Sequence, residues 1–246
     1  MSIESKADLA GLRTVGRVVA ETLRALRLAV RPGVTTAALD DVALRMLRRR
    51  GARAVPAKLL GFPGSCCVSV NDEAVHGVPG DRILRPGDLV KLDFTAQLSG
   101  YVADAAITVQ VGPAGGDAER LARCAQAALA RALDAARAGR PLSAIGRAVE
   151  IEVNGRGFHV LSELSGHGTG RPLWEEPSVP NVELKGGPVL HDGLVLAIEP
   201  IISARRDRVV TAADGWTLRT RHGSLAAHVE HTIIVRRGRP LVITAA

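Results

Sequence analysis

The chain has 246 residues, 46% of them hydrophobic, and a net charge of +7 carried mostly by arginine. That length and apolar content allow a substantial core, and charges of mixed sign exclude a disordered polyelectrolyte. No apolar run approaches a membrane span, and the polar opening MSIESKADLAGL is unlike a signal peptide, so a soluble cytoplasmic protein is expected.

Residues from about Ile3 to Val30 predict a helix, because Leu9, Leu12, Val15, Val19, Leu23 and Leu26 recur at three- and four-residue spacing. Arg31-Pro32-Gly33 ends it. Thr35 or Thr36 caps a second helix through about Arg50, and Gly51 stops it. Arg45 and Arg48 to Arg50 gather towards that helix's C-terminal end, where cations complement the dipole. The same cluster would suit RNA, although no nucleic-acid motif accompanies it.

From Cys66 the texture changes. CCVSV, DLVKLDFTAQL and YVADAAITVQVG carry the β-branched, alternating residues of strands, and Ser99-Gly100 marks a hairpin between the last two. Cys66 and Cys67 are adjacent and Cys124 stands apart, a pattern that fits a reducing compartment better than a disulfide framework. Aromatics are few (Phe62, Phe94, Tyr101, Phe158, Trp174 and Trp216), so the core must be built from Ala, Val, Leu and Ile.

The order then repeats. Residues from about Ala118 to Arg137 predict a helix, Ala138-Gly139-Arg140-Pro141 breaks it, and Ser143 caps another that ends near Gly157. Strand-like FHVL, GLVLAIEPIIS and EHTIIVRR follow. An offset of 106 residues pairs Arg31 with Arg137, Gly33 with Gly139, Leu39 with Ile145 and Gly51 with Gly157. The same offset pairs Asp93 with Glu199, each an acid inside a hydrophobic segment. The expectation is one domain, 1–246, made of two halves (about 5–112 and 113–240) related by a pseudo-two-fold axis.

A carboxylate within an apolar strand costs several kcal/mol unless it is paired or bound to a metal, by roughly the penalty for burying a charge. Asp93, Asp104, Glu199 and Glu230 all sit in such surroundings. A salt bridge or a solvent-facing position explains any one of them, but explains four together poorly. Asp93 and Asp104 lie on opposite arms of the expected hairpin and can face each other; Glu199 and Glu230 can do likewise. Converging acids repel, and divalent cations relieve that repulsion. His167, with glycines on both sides in SGHGTGRP, adds a nitrogen donor. Four carboxylates and an imidazole suit a two-metal hydrolase, in which water held between the ions attacks a carbonyl.

Six ordered motifs carry a family resemblance: SVNDEAVHGVP (69–79), KLDFTAQLSGYVAD (91–104), SGHGTGRPLWEEP (165–177), AIEPI (197–201), DGWT (214–217) and EHTI (230–233). Together they resemble the type I methionine aminopeptidases among the pita-bread metallopeptidases. The resemblance implies an α+β pita-bread fold, a central curved antiparallel sheet covered by helices. It implies metal-dependent hydrolysis of N-terminal methionine from nascent polypeptides; a cytoplasmic monomer without DNA or membrane partners is the accompanying expectation. Two divalent ions are implied, with Co, Mn, Fe(II) and Zn all compatible. Asp93, Asp104, His167, Glu199 and Glu230 fall on the family's ligand positions, with Asp104 and Glu230 bridging. Asp93 completes one site; His167 and Glu199 complete the other. Glu199 also falls on the proton acceptor, His76 on a substrate-contacting histidine, and Phe62, Cys67 and Trp216 on the methionine pocket. Ribosome association through the basic surface is a further expectation.

The interval from His167 to Glu199 leaves no room for the insertion of type II enzymes, and the expectation is a type I enzyme without the zinc-binding extension of some relatives or the N-terminal domain of prolidases. One departure stands out. The family pattern has a second active-site histidine seven residues after the metal-binding one, and this chain has Trp174 there. An indole donates one hydrogen bond and shuttles no proton. His222 and His228 are the candidates to stand in for it. Leu59-Leu60 is a second departure, in a segment where relatives often carry polar or aromatic residues. Two other readings use the same residues: an aminopeptidase of altered N-terminal specificity, and a catalytically weak peptide-binding paralogue. Retention of all five ligand types weighs against the latter.

Overall fold

Ser5 and Asp8 fix the start of the first helix. The Ser5 hydroxyl accepts the Asp8 N–H while the Asp8 carboxylate accepts the Ser5 N–H, a reciprocal cap that opens α1 (Lys6–Ala29). Thr35 accepts the Ala38 N–H to open α2 (Thr36–Arg50), and Gly51 closes it in the left-handed region, φ 63°. Arg48, Arg49 and Arg50 fill the last turn of α2, and Arg50 pairs with Glu21 of α1. These are the first elements of a computed structural model that describes residues 1–245.

The first half continues with β1 (Arg53–Ala54), α3 (Val55–Leu60), β2 (Cys67–Val70), β3 (Glu73–Val75), β4 (Leu89–Leu98) and β5 (Tyr101–Gln110). Ser99 and Gly100 both take positive φ, 51° and 80°, and so form the tight turn that matches the twist of β4 and β5. The second half has α4 (Gly116–Ala135), α5 (Ser143–Gly155), β6 (His159–Val160), β7 (Ser165–Gly168), β8 (Glu175–Pro180), β9 (Val195–Ile198) and β10 (Ile201–Ser203). It ends with β11 (Val209–Thr211), β12 (Leu218–Thr220), β13 (Ala226–His228), β14 (His231–Ile234) and β15 (Leu241–Val242).

Each helix pair buries its apolar stripe on its own strands. Leu12, Val19, Leu26 and Leu39 pack with Leu92, Phe94 and Ala105; Leu121, Cys124, Ile145 and Val149 pack with Leu196, Ile202 and Ile233. Each fully buried Leu, Ile or Val contributes about 1.5–3 kcal/mol relative to exposure, so these two layers dominate the driving force. All three cysteines are free and buried. Among the described residues no helix is long and apolar enough to cross a membrane.

Where β5 runs beside the segment joining β13 to β14, the two halves share one reciprocal backbone pair. Glu230 N–H donates to Ala106 O at 2.9 Å and Ala106 N–H to Glu230 O at 3.4 Å. On either side a threonine replaces the next backbone partner. Thr232 Oγ1 accepts from Asp104 N (2.9 Å) and donates to Asp104 O (2.8 Å); Thr108 Oγ1 accepts from His228 N (3.0 Å) and donates to His228 O (2.6 Å).

Three local expectations are corrected. GLVLAIEPIIS is two strands, β9 and β10, parted at Glu199-Pro200, because Pro200 lacks an N–H for the ladder. β14 begins at His231, so Glu230 precedes it; Glu199 and Glu230 therefore lie at a shared break and not inside strands. Ser143 is the first residue of α5 and caps nothing: Leu142 before it is already helical and no side chain bonds the end.

Candidate metal centre

The β4–β5 register sets Asp93 opposite Ala106 and Asp104 opposite Thr95. The two aspartates are thus diagonal neighbours on one face of the hairpin. β9 with β14, and β10 with β13, keep a single register (Ile198 opposite His231, Ile201 opposite His228), which sets Glu199 across from Glu230 at the break. His167 on β7 pairs with Ala197 of β9, two residues before Glu199. Its flanking glycines permit this. A Cβ on Gly166 would strike the Ala197 carbonyl, and one on Gly168 would strike the carbonyls of Glu175 and Glu176. Neither glycine needs positive φ; both are required for close approach.

Asp93, Asp104, His167, Glu199 and Glu230 consequently line one cavity of about 120 Å³. Asp104 and Glu230 are 6% and 2% exposed, and Asp104 Oδ1 and Glu230 Oε1 have no hydrogen-bond partner. Burial, then the charges of Asp104 and Glu199, pushes Asp93 well above the usual carboxylate range. Burial likewise raises Glu199 to about 8; His167 pulls it down and Asp104 pushes it up. Burial, then Asp104, Glu199 and Asp93, raises Glu230. Acids so crowded, with orphaned oxygens, are what a divalent cation would stabilise. Donor atoms of Asp104, His167 and Glu230 come within 4.8 Å of one another, as do those of Glu199, His228 and Glu230. The oxygen-rich, imidazole-bearing set fits Mn, Fe(II), Co or Zn. Asp93 belongs to neither close triad and approaches through its diagonal neighbour Asp104.

The remaining expected residues surround the same cavity. Phe62, Cys67 and Trp216 line one wall, with Pro56, Leu60 and Leu173. Leu60, one of the two departing leucines, is thus at the cavity; Leu59 is exposed. His76 follows β3 in a left-handed conformation, φ 58°, which is uncommon for a non-glycine residue and costs on the order of 1 kcal/mol. Burial, then the neighbouring His228, lowers its pKa. Trp174 stands at the mouth, 52% exposed, its ring edge-on to His167 at 6.3 Å between centroids. A second groove of about 630 Å³ opens beyond it, lined by His76, Glu163, Glu175, Glu176 and Ile201.

His222 does not reach the centre: it is exposed and bonds Asp207, Nδ1 to Oδ1 2.9 Å. His228 does. It is 1% exposed and lies beside Glu199 and Glu230. The sequence offers it only as a stand-in for the histidine that Trp174 replaces, whereas it sits among the acids.

The profile of metallopeptidase family M24 matches residues 10–237. Methionine aminopeptidase 2 of Bacillus subtilis is 37% identical over 247 residues, covering 99% of both chains. Methionine aminopeptidase 1 of the same organism is 41% identical over 229 residues, covering 93% of this chain and 92% of that one. The crystal structure of methionine aminopeptidase from Thermotoga maritima superposes with a TM-score of 0.96 at 33% identity, covering the whole of both chains.

Proposed function

This chain belongs to metallopeptidase family M24, has its pita-bread fold, and on that premise we propose that it is a methionine aminopeptidase, hydrolysing the first peptide bond of polypeptides that begin with methionine. The observation that carries the reading is the cluster of four carboxylates and His167 around one cavity, with the buried Asp104 and Glu230 each leaving an oxygen unpartnered.

In this reading Asp93, Asp104, His167, Glu199 and Glu230 hold two divalent ions. Those ions would supply Lewis-acid polarisation of the scissile carbonyl and would acidify the attacking water. The protein's own residues do the rest. Glu199 accepts the proton of the attacking water and passes it to the amine that leaves as the C–N bond breaks. His76, between the cavity and the groove, donates a hydrogen bond to the substrate next to the scissile bond. Phe62, Cys67 and Trp216 hold the methionine side chain, whose flexible thioether suits an aromatic and sulfur wall. Trp174 covers the mouth and keeps bulk water from the reacting atoms. The rest of the substrate leaves along the groove past Glu163 and Glu176. The same reading takes residues 1–246 as one domain whose halves, about 5–112 and 113–240, each give carboxylates to a shared centre. It places the enzyme in the cytoplasm as a monomer, with its arginine-rich surface able to approach ribosomal RNA.

The test is release of methionine from a Met-Ala-Ser peptide by the purified chain, followed by mass spectrometry as Mn, Co, Fe(II) or Zn is added singly. Metal-dependent release that disappears in Asp104→Ala is expected. Release unaffected by chelator and by Asp104→Ala would overturn the assignment.

A further inference from the structure

His228 ends β13 with both ring nitrogens buried and neither hydrogen-bonded. A buried histidine ordinarily fixes its tautomer through a carbonyl or carboxylate, and leaving a buried polar group orphaned costs about 1–3 kcal/mol. The side chain nonetheless aims at acids. Nε2 lies 3.5 Å from Glu199 Oε2 and 3.7 Å from Glu230 Oε2, too far for hydrogen bonds. These separations are close to those of donors sharing an ion, since two atoms about 2.1 Å from one cation lie roughly 3–3.6 Å apart. His167 Nε2 stands 3.6 Å from the other oxygen, Glu199 Oε1. The Glu199 carboxylate is therefore held between two imidazoles at matching range.

The pseudo-two-fold relation points the same way. Thr232 brackets the backbone of Asp104 by the same two hydrogen bonds with which Thr108 brackets His228. Across the Ala106–Glu230 pair, His228 occupies the place in the second half that Asp104 occupies in the first. Both residues stand two positions from that pair and so share its face; Asp104 and Glu230 line the cavity there, and His228 lies beside Glu230 and Glu199.

We propose that His228 is a further metal ligand, binding a divalent cation together with Glu199 and Glu230. The inference rests on the metallopeptidase reading above but adds a donor to its five.

Mn(II) alone, titrated by calorimetry into the metal-stripped full-length chain, gives affinity and stoichiometry. Electron spin-echo modulation of the bound Mn(II) counts coordinated imidazoles. Two are expected in the unaltered chain and one in each of His228→Gln and His167→Ala, with affinity in His228→Gln weakened about tenfold or more, the scale on which lost metal-site partners act. His228→Asp, which restores the residue type found at the related position, is expected to lose one imidazole signal and keep affinity within a few-fold. Melting of each metal-stripped variant reports folding separately. One imidazole in the unaltered chain, with His228→Gln binding as tightly, would overturn the proposal and leave the metal centre intact. No Mn(II) binding by the folded, unaltered chain would overturn the metal centre itself.

Discussion

Phe62 and Trp216 meet edge to face, ring centroids 5.4 Å apart and planes at 86°. Phe62 comes from the segment after α3 and Trp216 from the turn between β11 and β12, so the pair joins the two halves at the cavity wall. The Asp214 carboxylate steadies that turn by accepting the N–H groups of Trp216 and Thr217, at 2.9 and 2.8 Å. If these rings hold the substrate's methionine, as proposed, truncating either removes that apolar contact and leaves the acids untouched. Phe62→Ala and Trp216→Ala are each expected to raise KM for a Met-Ala-Ser peptide by roughly tenfold to a hundredfold, from about 1.5–3 kcal/mol of lost packing. Mn(II) affinity should not change; if it falls with KM, the pair supports the acids and does not hold the substrate.

Cation binding should register as stability. Burial, with the charge of Asp104, raises Asp93, Glu199 and Glu230, so the metal-free centre holds repulsion that a cation would relieve. An ion present at a hundred times its Kd stabilises by about 2.7 kcal/mol. In a domain of this size that is a rise in Tm of roughly 5–10 °C. Thermal melts with and without Mn(II) measure it. Asp104→Ala is expected to abolish the rise, while its own metal-free Tm stays near or above that of the unaltered protein, because one buried charge has gone.

The helices and the β4–β5 hairpin were legible because their periods are clean. Leu12, Val15, Val19 and Leu23 mark one helix face, and Ser99-Gly100 marks one turn type. The four carboxylates were legible because charge in apolar surroundings needs a reason. His228 was not, and the cause is geometric. The 106-residue offset that pairs Asp93 with Glu199 fails beyond it, because residues 204–225, with β11 and β12, stand where the first hairpin has only residues 98–101. Past that insertion the offset becomes 124, relating Asp104 to His228 and Thr108 to Thr232. A fixed-offset comparison therefore sets Asp104 against Val210 and never meets the histidine. The break at Glu199-Pro200 was missed for another reason: the apolar run continues through it, and only the missing proline N–H interrupts the ladder.

Gly168 tests how tightly β7 must lie on its neighbours. A Cβ there meets two backbone carbonyls, Glu175 O and Glu176 O, and backbone cannot move aside as a flexible side chain can. Gly168→Ala is expected to destabilise by about 1–3 kcal/mol, the usual scale of overpacking. It should also shift the adjacent His167 and weaken Mn(II) binding. Gly155→Ala, in α5 with open space around its Cβ position, is the control, expected to be neutral or slightly stabilising. Equal melting temperatures for the two variants would mean that β7 has slack the packing does not reveal.

Trp174 decides how the mouth contributes to the reaction. Its indole is half exposed and touches His167 only edge-on, so replacing it should change stability by less than about 0.5 kcal/mol. An imidazole at that position can donate to the oxygen that becomes charged as water adds to the scissile carbonyl, and can exchange a proton near neutral pH, which the indole cannot. Trp174→His is therefore expected to raise kcat by about tenfold or more, within the range of general acid–base contributions, with Mn(II) affinity unchanged. Steady-state kinetics on Met-Ala-Ser separates this from a wall effect. A higher kcat at constant KM identifies an interaction made only in the transition state. A higher KM at constant kcat would show that the indole's value lies in covering the bound substrate, and that the imidazole supplies nothing the reaction lacked.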